Sequence, residues 1–140
     1  MVEIGELPAD VPIVFEGTQG LLLDQDSRFF PHVTRSKTGL TNVVALMPRL
    51  GVSSLSVSYA VRAYATRHGA GPFPAPWSSW TAPPSWLPRF RDDTNQPSPW
   101  QGNLRLASLS LPLLAEAIAG DLLAAGGAPN EDFLAVGCLD

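Results

Sequence analysis

Ile13-Val14-Phe15-Glu16-Gly17-Thr18-Gln19-Gly20-Leu21-Leu22-Leu23-Asp24-Gln25-Asp26 is the stretch from which the fold is read. Its compact apolar run, Ile13 to Glu16, is stopped by Gly17 and predicts a short buried strand. A strand running into Gly-x-Gln-Gly brings backbone amides and one side-chain amide to a ligand. Gly17 and Gly20 permit dihedral angles and close approaches that other residues resist. The same residues also suit an ordinary strand-to-loop turn, and by themselves they leave both readings open. Leu21 to Leu23 form a second apolar segment. Asp24 and Asp26, at i and i+2, offer carboxylates to a metal, although acids so placed more often cap turns or face water.

Working outward, Phe29, Phe30 and Pro31 are expected to pack a loop down. Asn42 to Leu50 reads as a short helix, with Asn42 as its cap and Val43, Leu46, Met47 and Leu50 on one face, ended by Gly51. From Leu55 to Ala63 the pattern alternates strictly: Leu55, Val57, Tyr59, Val61 and Ala63 against Ser56, Ser58, Ala60 and Arg62. This is a strand with one buried and one more polar face. Thr66 to Pro74 leaves it as a rigid loop through Gly69-Ala70-Gly71. Ala75 to Pro99 is rich in proline and carries Trp77, Trp80 and Trp86. Such a segment suits either a mobile loop or an arm for a partner's groove, with at least two of the tryptophans expected to cover the core. Leu111 to Ala125 is the clearest helix, capped by Ser110, with Pro112 tolerated in the first turn and Gly126-Gly127 stopping it. Leu111, Leu114, Ala115, Ile118 and Leu122 form its expected buried face. Phe133 to Val136 reads as a short strand before Gly137-Cys138-Leu139-Asp140.

Length and composition fit one small domain over residues 1–140, with 75–99 as its Pro/Trp-rich loop. Hydrophobic residues at 45% and charged residues at 16% describe a globular chain. The net charge of −4, with a single lysine at position 37, argues against nucleic acid as the main partner. One cysteine, Cys138, makes no internal disulfide and suits a reducing cytoplasm. Met1 to Asp10 carries acids and no basic leader region, and no apolar run approaches the ~20 residues that cross a bilayer. Neither His32 nor His68 stands in a recognisable nucleophilic arrangement, so both read as structural or exposed. The expectation is a soluble, cytoplasmic protein with no membrane partner.

Three pieces of this chain, in order and spacing, resemble the adenylosuccinate synthetase family, whose members join aspartate to IMP at the expense of GTP. They are Phe15-Glu16-Gly17-Thr18-Gln19-Gly20 with Leu22-Leu23-Asp24, then Phe30-Pro31-His32-Val33-Thr34, then Ala63-Tyr64-Ala65-Thr66-Arg67 with Gly69-Ala70-Gly71-Pro72-Phe73-Pro74. The family text runs FEGAQGTLLD, YPYVTSS and KAYTTRVGAGPFPTE. The resemblance implies that Gln19 contacts the IMP nucleotide and that the Thr34 hydroxyl donates to its phosphate. Beyond Thr34 the family's SSNTTAGG is replaced by Arg35-Ser36-Lys37-Thr38-Gly39-Leu40-Thr41-Asn42, whose cations favour a phosphate or are merely solvated. The family strand matching residues 55–63 is more uniformly apolar, so here it lies nearer an edge or has relaxed its burial.

Trp100-Gln101-Gly102-Asn103-Leu104-Arg105 resembles a divergent form of the family, WQGxxRVGWFD, in the loop that binds aspartate and nucleotides. Gly102 and Arg105 are the matching positions, and Ala107-Ser108-Leu109-Ser110 departs from Gly-Trp-Phe-Asp. Leu139 and Asp140 match a guanine-reading Thr-Lys-Leu-Asp, with Cys138 in the lysine's place. The family needs a GDEGKG-type phosphate loop, Mg²⁺, a general base and a histidine, and no such loop stands in this sequence. The implied fold is therefore a partial, P-loop-NTPase-like α/β sheet with flanking helices that lacks the N-terminal phosphate-loop region. GTP and Mg²⁺ are cofactors of the family. The expected function is a truncated ligase inactive alone, or one piece of a split enzyme completed by a partner chain or homodimer. The alternative is a non-catalytic purine-nucleotide-binding or interaction module.

Overall fold

The computed structural model describes residues 11–73, 85, 96–127 and 131–137, the side chains of 131–133 excepted. Among these residues two helices and four strands are formed: α1 (Thr41–Leu50), β1 (Ser56–Arg62), β2 (Tyr64–Arg67), β3 (Arg105–Ser108), α2 (Leu111–Ala124) and β4 (Glu131–Gly137). β1 pairs with β4 in parallel, and the Ala63 amide extends the pairing by donating to the Gly137 carbonyl at 2.9 Å. β2 and β3 form a separate antiparallel pair with Tyr64 opposite Ser108 and Arg67 opposite Arg105. The architecture is small α/β. Among the described residues, no helix is long and apolar enough to cross a membrane.

By its contacts the chain divides into two compact units: residues 1–59 with 115–134, and residues 60–114 with 135–140. Among the described residues, the buried core residue of the first is Val57 and that of the second is Ala107. Val57 follows from the alternation in β1. Leu55, Val57, Tyr59, Val61 and Ala63 are buried or half-buried, and Ser56, Ser58, Ala60 and Arg62 are exposed, as a two-faced strand requires.

α1 ends as expected. Gly51 takes a left-handed φ of 66°, its amide reaches the Pro48 carbonyl, and the Val52 amide donates to Met47 at 3.0 Å. Its start departs from expectation: Asn42 lies inside the first turn, and Leu40 precedes the helix with no side-chain cap. α2 also ends in a paired glycine stop, with Gly126 at φ 84° and Gly127 donating to Leu122. Ser110 caps its start, the hydroxyl accepting from the Leu113 amide at 3.4 Å. The half-buried stripe runs through Leu113, Leu114, Ala117, Ile118, Asp121 and Leu122, whereas Leu111 and Ala115 are exposed. Apart from Glu116 and Asp121 the helix is built of apolar and small residues, so spacing alone did not fix its rotation.

Three other expectations are corrected. Ile13 to Glu16 is not a strand; residues 12–18 are irregular, and Val14 is 88% exposed. Strand formation needs a paired neighbour, and among the described residues none pairs with this run. Thr66 and Arg67 belong to β2, so the loop begins at His68. Phe30 does not pack the loop down but stands 75% exposed, while Phe29 is half-buried.

Candidate functional site

In the first unit, residues 17–26 and 34–40 are laced together by hydrogen bonds. Leu21–Leu23 turn as a short 3₁₀ helix, the Leu23 amide donating to Gly20 at 2.8 Å. The Leu23 carbonyl in turn accepts from the Thr34 amide at 2.7 Å, and the Gln25 amide donates to Ser36 at 3.0 Å. The Thr38 hydroxyl donates to the Gly20 carbonyl at 3.1 Å, and its amide donates to the Asp24 carboxylate at 2.8 Å. Gln19 and Thr34 thus stand on two segments of one bonded loop. Thr34 is half-buried and Gln19 exposed. Neither side chain has a hydrogen-bond partner among the described residues.

Gln19 carries the unusual backbone. Its φ is 69°, the one positive value at a non-glycine residue among those described. The expectation that Gly17 and Gly20 supply the special dihedral angles is corrected: Gly20 is extended at φ −122°, and neither glycine has a positive φ. A left-handed conformation costs a residue with a side chain ~1–2 kcal/mol, and such strain clusters at functional positions.

Asp24 and Asp26 hold the loop. Asp24 accepts the Asp26 amide at 3.0 Å as well as that of Thr38, the local turn such residues favour. Lys37 forms ion pairs with Asp26 and with Asp24. The hydrogen bond to Asp26 raises the Lys37 pKa above its ordinary value, against a smaller lowering by desolvation. Among the described residues no three His, Cys, Asp or Glu side chains stand where they could hold a metal. With their carboxylates committed to Lys37 and backbone amides, Asp24 and Asp26 do not fit Mg²⁺, and no metal-assisted step is derived from them.

A further carboxylate lies in the same unit. Asp121 of α2 accepts the Leu40 amide at 2.8 Å through one oxygen and the Tyr59 hydroxyl at 2.9 Å through the other. Leu40 immediately precedes α1, where a negative charge is favourable. This distant carboxylate takes the place of the expected Asn42 cap. Sequence reading missed Asp121; its signal is an acid at i+4 from Ala117 within an apolar stripe, where it needs partners.

In the second unit, Arg105 opens β3 and Gly102 lies in the preceding turn at φ 69°, closed by reciprocal bonds between Ser98 and Gly102. The Arg105 guanidinium donates to the Gly69 carbonyl at 2.5 Å and twice to Gly71 at 3.1 Å, and it sits 5.1 Å from the Phe73 ring centre. Arg67, opposite it across the strands, donates to the Ala70 carbonyl at 2.9 Å. Burial, and then the Arg105 charge, lower the Arg67 pKa. The two cations clamp the 69–71 loop by its carbonyls. His68 adds a contact of 3.3 Å from Nε2 to the Gly102 carbonyl, a structural role. Gly102 and Arg105 line a shallow, open depression of about 510 Å³ with Gly69, Ala70, Trp100 and Gln101. Trp100 is 94% exposed at its rim. Leu139, Asp140 and Cys138 lie outside the described residues, as do Trp77, Trp80 and Trp86.

Comparison with known proteins bears on the first unit most directly. The family described as Adenylosuccinate synthetase matches residues 5–83, more than half of the 140. An adenylosuccinate synthetase of Alteromonas mediterranea is 45% identical over 69 residues, 47% of this chain and 15% of that protein. One from Wigglesworthia glossinidia brevipalpis is 43% identical over 65 residues, 44% of this chain and 14% of that protein. One from Clostridium perfringens is 38% identical over 71 residues, 49% of this chain and 16% of that protein. The matched stretch therefore spans a small fraction of each relative's length. No solved structure matches. Gln19 and Thr34 fall inside the family match; Gly102, Arg105, Leu139 and Asp140 fall beyond it.

Proposed function

The chain belongs to the adenylosuccinate synthetase family, and on that footing we propose that its 17–40 loop is the IMP-binding part of a GTP-dependent ligase working in purine nucleotide biosynthesis in the cytoplasm. The observation that carries the reading is Gln19. It is exposed, strained at φ 69°, held between Gly17 and Gly20, and bonded through Gly20 and Leu23 to the segment bearing Thr34. A strained polar residue in a tightly laced loop suits a ligand contact better than a passive turn. In this reading the Gln19 amide meets the nucleotide and the Thr34 hydroxyl donates to its phosphate.

The phosphate-transferring groups, and with them GTP and Mg²⁺, come from chain outside these 140 residues, continuous with it or supplied by a partner. These residues bind and orient IMP and do not by themselves transfer the phosphoryl group. Titration calorimetry with IMP tests this. The parent is expected to bind, and Gln19→Ala and Thr34→Ala to lose binding at least ~10-fold without unfolding, the cost of removing a hydrogen bond to a charged phosphate. An absence of any purine monophosphate binding by the parent would remove the reading.

A second reading, a non-catalytic nucleotide-binding or interaction module, draws on Arg105. Its guanidinium is committed to the Gly69 and Gly71 carbonyls, leaving less of it for an aspartate carboxylate. IMP binding that persists without turnover, even after a GDEGKG-type segment is added in trans, would favour it.

A further inference from the structure

We infer that Asp121 is a positioning residue for the loop bearing Gln19 and Thr34, acting as a latch through Gly39 and Leu40; its bearing on nucleotide affinity rests on the IMP-binding reading above. Both carboxylate oxygens are engaged, one by the Leu40 amide at 2.8 Å and one by the Tyr59 hydroxyl at 2.9 Å. The carboxylate also presses on Gly39, where an added Cβ would stand 1.9 Å from one oxygen and 2.6 Å from the carboxyl carbon. Gly39 has no positive φ, so glycine serves here for room and not for its dihedral freedom.

From that latch the bonding runs back without a break. Thr38 is tied to Asp24 and Gly20, Ser36 to Gln25, and Thr34 to Leu23. Gly20 is the immediate neighbour of Gln19. An ion pair also reaches α2 in this unit, Arg28 to Glu116, but both of its side chains are more than half exposed and it ties down neither end of the loop. The half-buried Asp121 carboxylate is thus the anchor at which the 34–40 segment stops being able to swing.

Amide hydrogen exchange on the full chain tests the latch, with IMP titration alongside. Asp121→Ala and Gly39→Ala are expected to speed exchange at Leu40, Thr38 and Thr34 by about tenfold while the α2 amides keep their protection. IMP affinity in both should fall by a similar factor. Asp121→Asn, whose amide oxygen still accepts from Leu40, should behave as the parent in both measurements. Unchanged protection at Thr34 and Thr38 in Asp121→Ala overturns the inference. So does protection lost equally along α2, which would mark a general loss of stability. Should the parent fail to bind IMP, the nucleotide reading falls, and the exchange pattern still decides whether Asp121 positions the loop.

Discussion

At Gln19 the backbone pays in stability for a shape that an isolated turn would give to glycine. The replacement Gln19→Gly keeps the loop's geometry and removes the left-handed strain, so stability should rise by up to about 1 kcal/mol in denaturant titration. IMP binding should fall at least ~10-fold in the same variant, because the amide is gone. A stabilised protein that still binds IMP as the parent does would show that the strain has no functional purpose. Lys37 supplies a pH test of the same loop. Its pKa is raised in the folded chain, so its pairing with Asp26 contributes fully below the ordinary lysine value and is lost as pH rises through the raised one. The stability difference between the parent and Lys37→Met should be flat from about pH 6 to 9 and shrink on the alkaline side. A difference that grows instead toward high pH would contradict the pairing. Gln19 and Thr34 were marked out in the sequence by the motifs that resemble the family's, and their binding roles rest on that resemblance. Asp121 was not, since its partners lie 81 and 62 residues away in the chain and no local pattern brings them together.

Among the elements, what the sequence revealed depended on how local the cause was. β1 was legible because period-two alternation reports one buried face directly. α1 was legible at its C-terminal end and α2 at both ends, where Gly51, Ser110 and Gly126 act within a few residues. Gly51→Ala should cost about 1 kcal/mol because φ is 66° there. Ser110→Ala should cost about 0.5–1 kcal/mol, the lower part of the usual range, since its capping bond is long at 3.4 Å. Thermal melts read both, and a neutral Gly51→Ala would mean that α1 ends differently in solution. The rotation of α2 was hidden, because Leu111, Ala115 and Leu123 are as apolar as the stripe that is half-buried. The supposed strand at 13–16 failed for a related reason: apolar composition invites pairing, but only a neighbouring strand provides it. β2 was hidden within motif text that reads as a loop, and its partner β3 lies some forty residues later, across the proline-rich segment.

At the scale of the whole molecule, the described residues leave much apolar surface in water. Leu111, Leu123, Leu134 and Val136 are 66%, 82%, 49% and 41% exposed, while Val57 and Ala107 alone are buried hydrophobics among the described residues. A parallel strand pair is ordinarily covered on both faces, and β4 is apolar at successive positions 134–136, as such a covered strand would be. Scattered exposed leucines are ordinary; a strand patterned for burial yet exposed at each of residues 134–137 is a surface that associates. The isolated chain should therefore bind a hydrophobic dye and sediment as a concentration-dependent mixture. Val136→Lys should weaken both signals at a cost of about 1 kcal/mol in unfolding free energy, because the valine is still partly covered at 41% exposure and the lysine stem can lie over the same neighbours. Leu123→Glu, on the exposed side of α2, is the companion variant, and its effect separates association through the helix from association through the strand. A monomer at every concentration, with no dye bound, would mean that Leu134 and Val136 are covered from within the chain, and the need for an outside partner would fall with it.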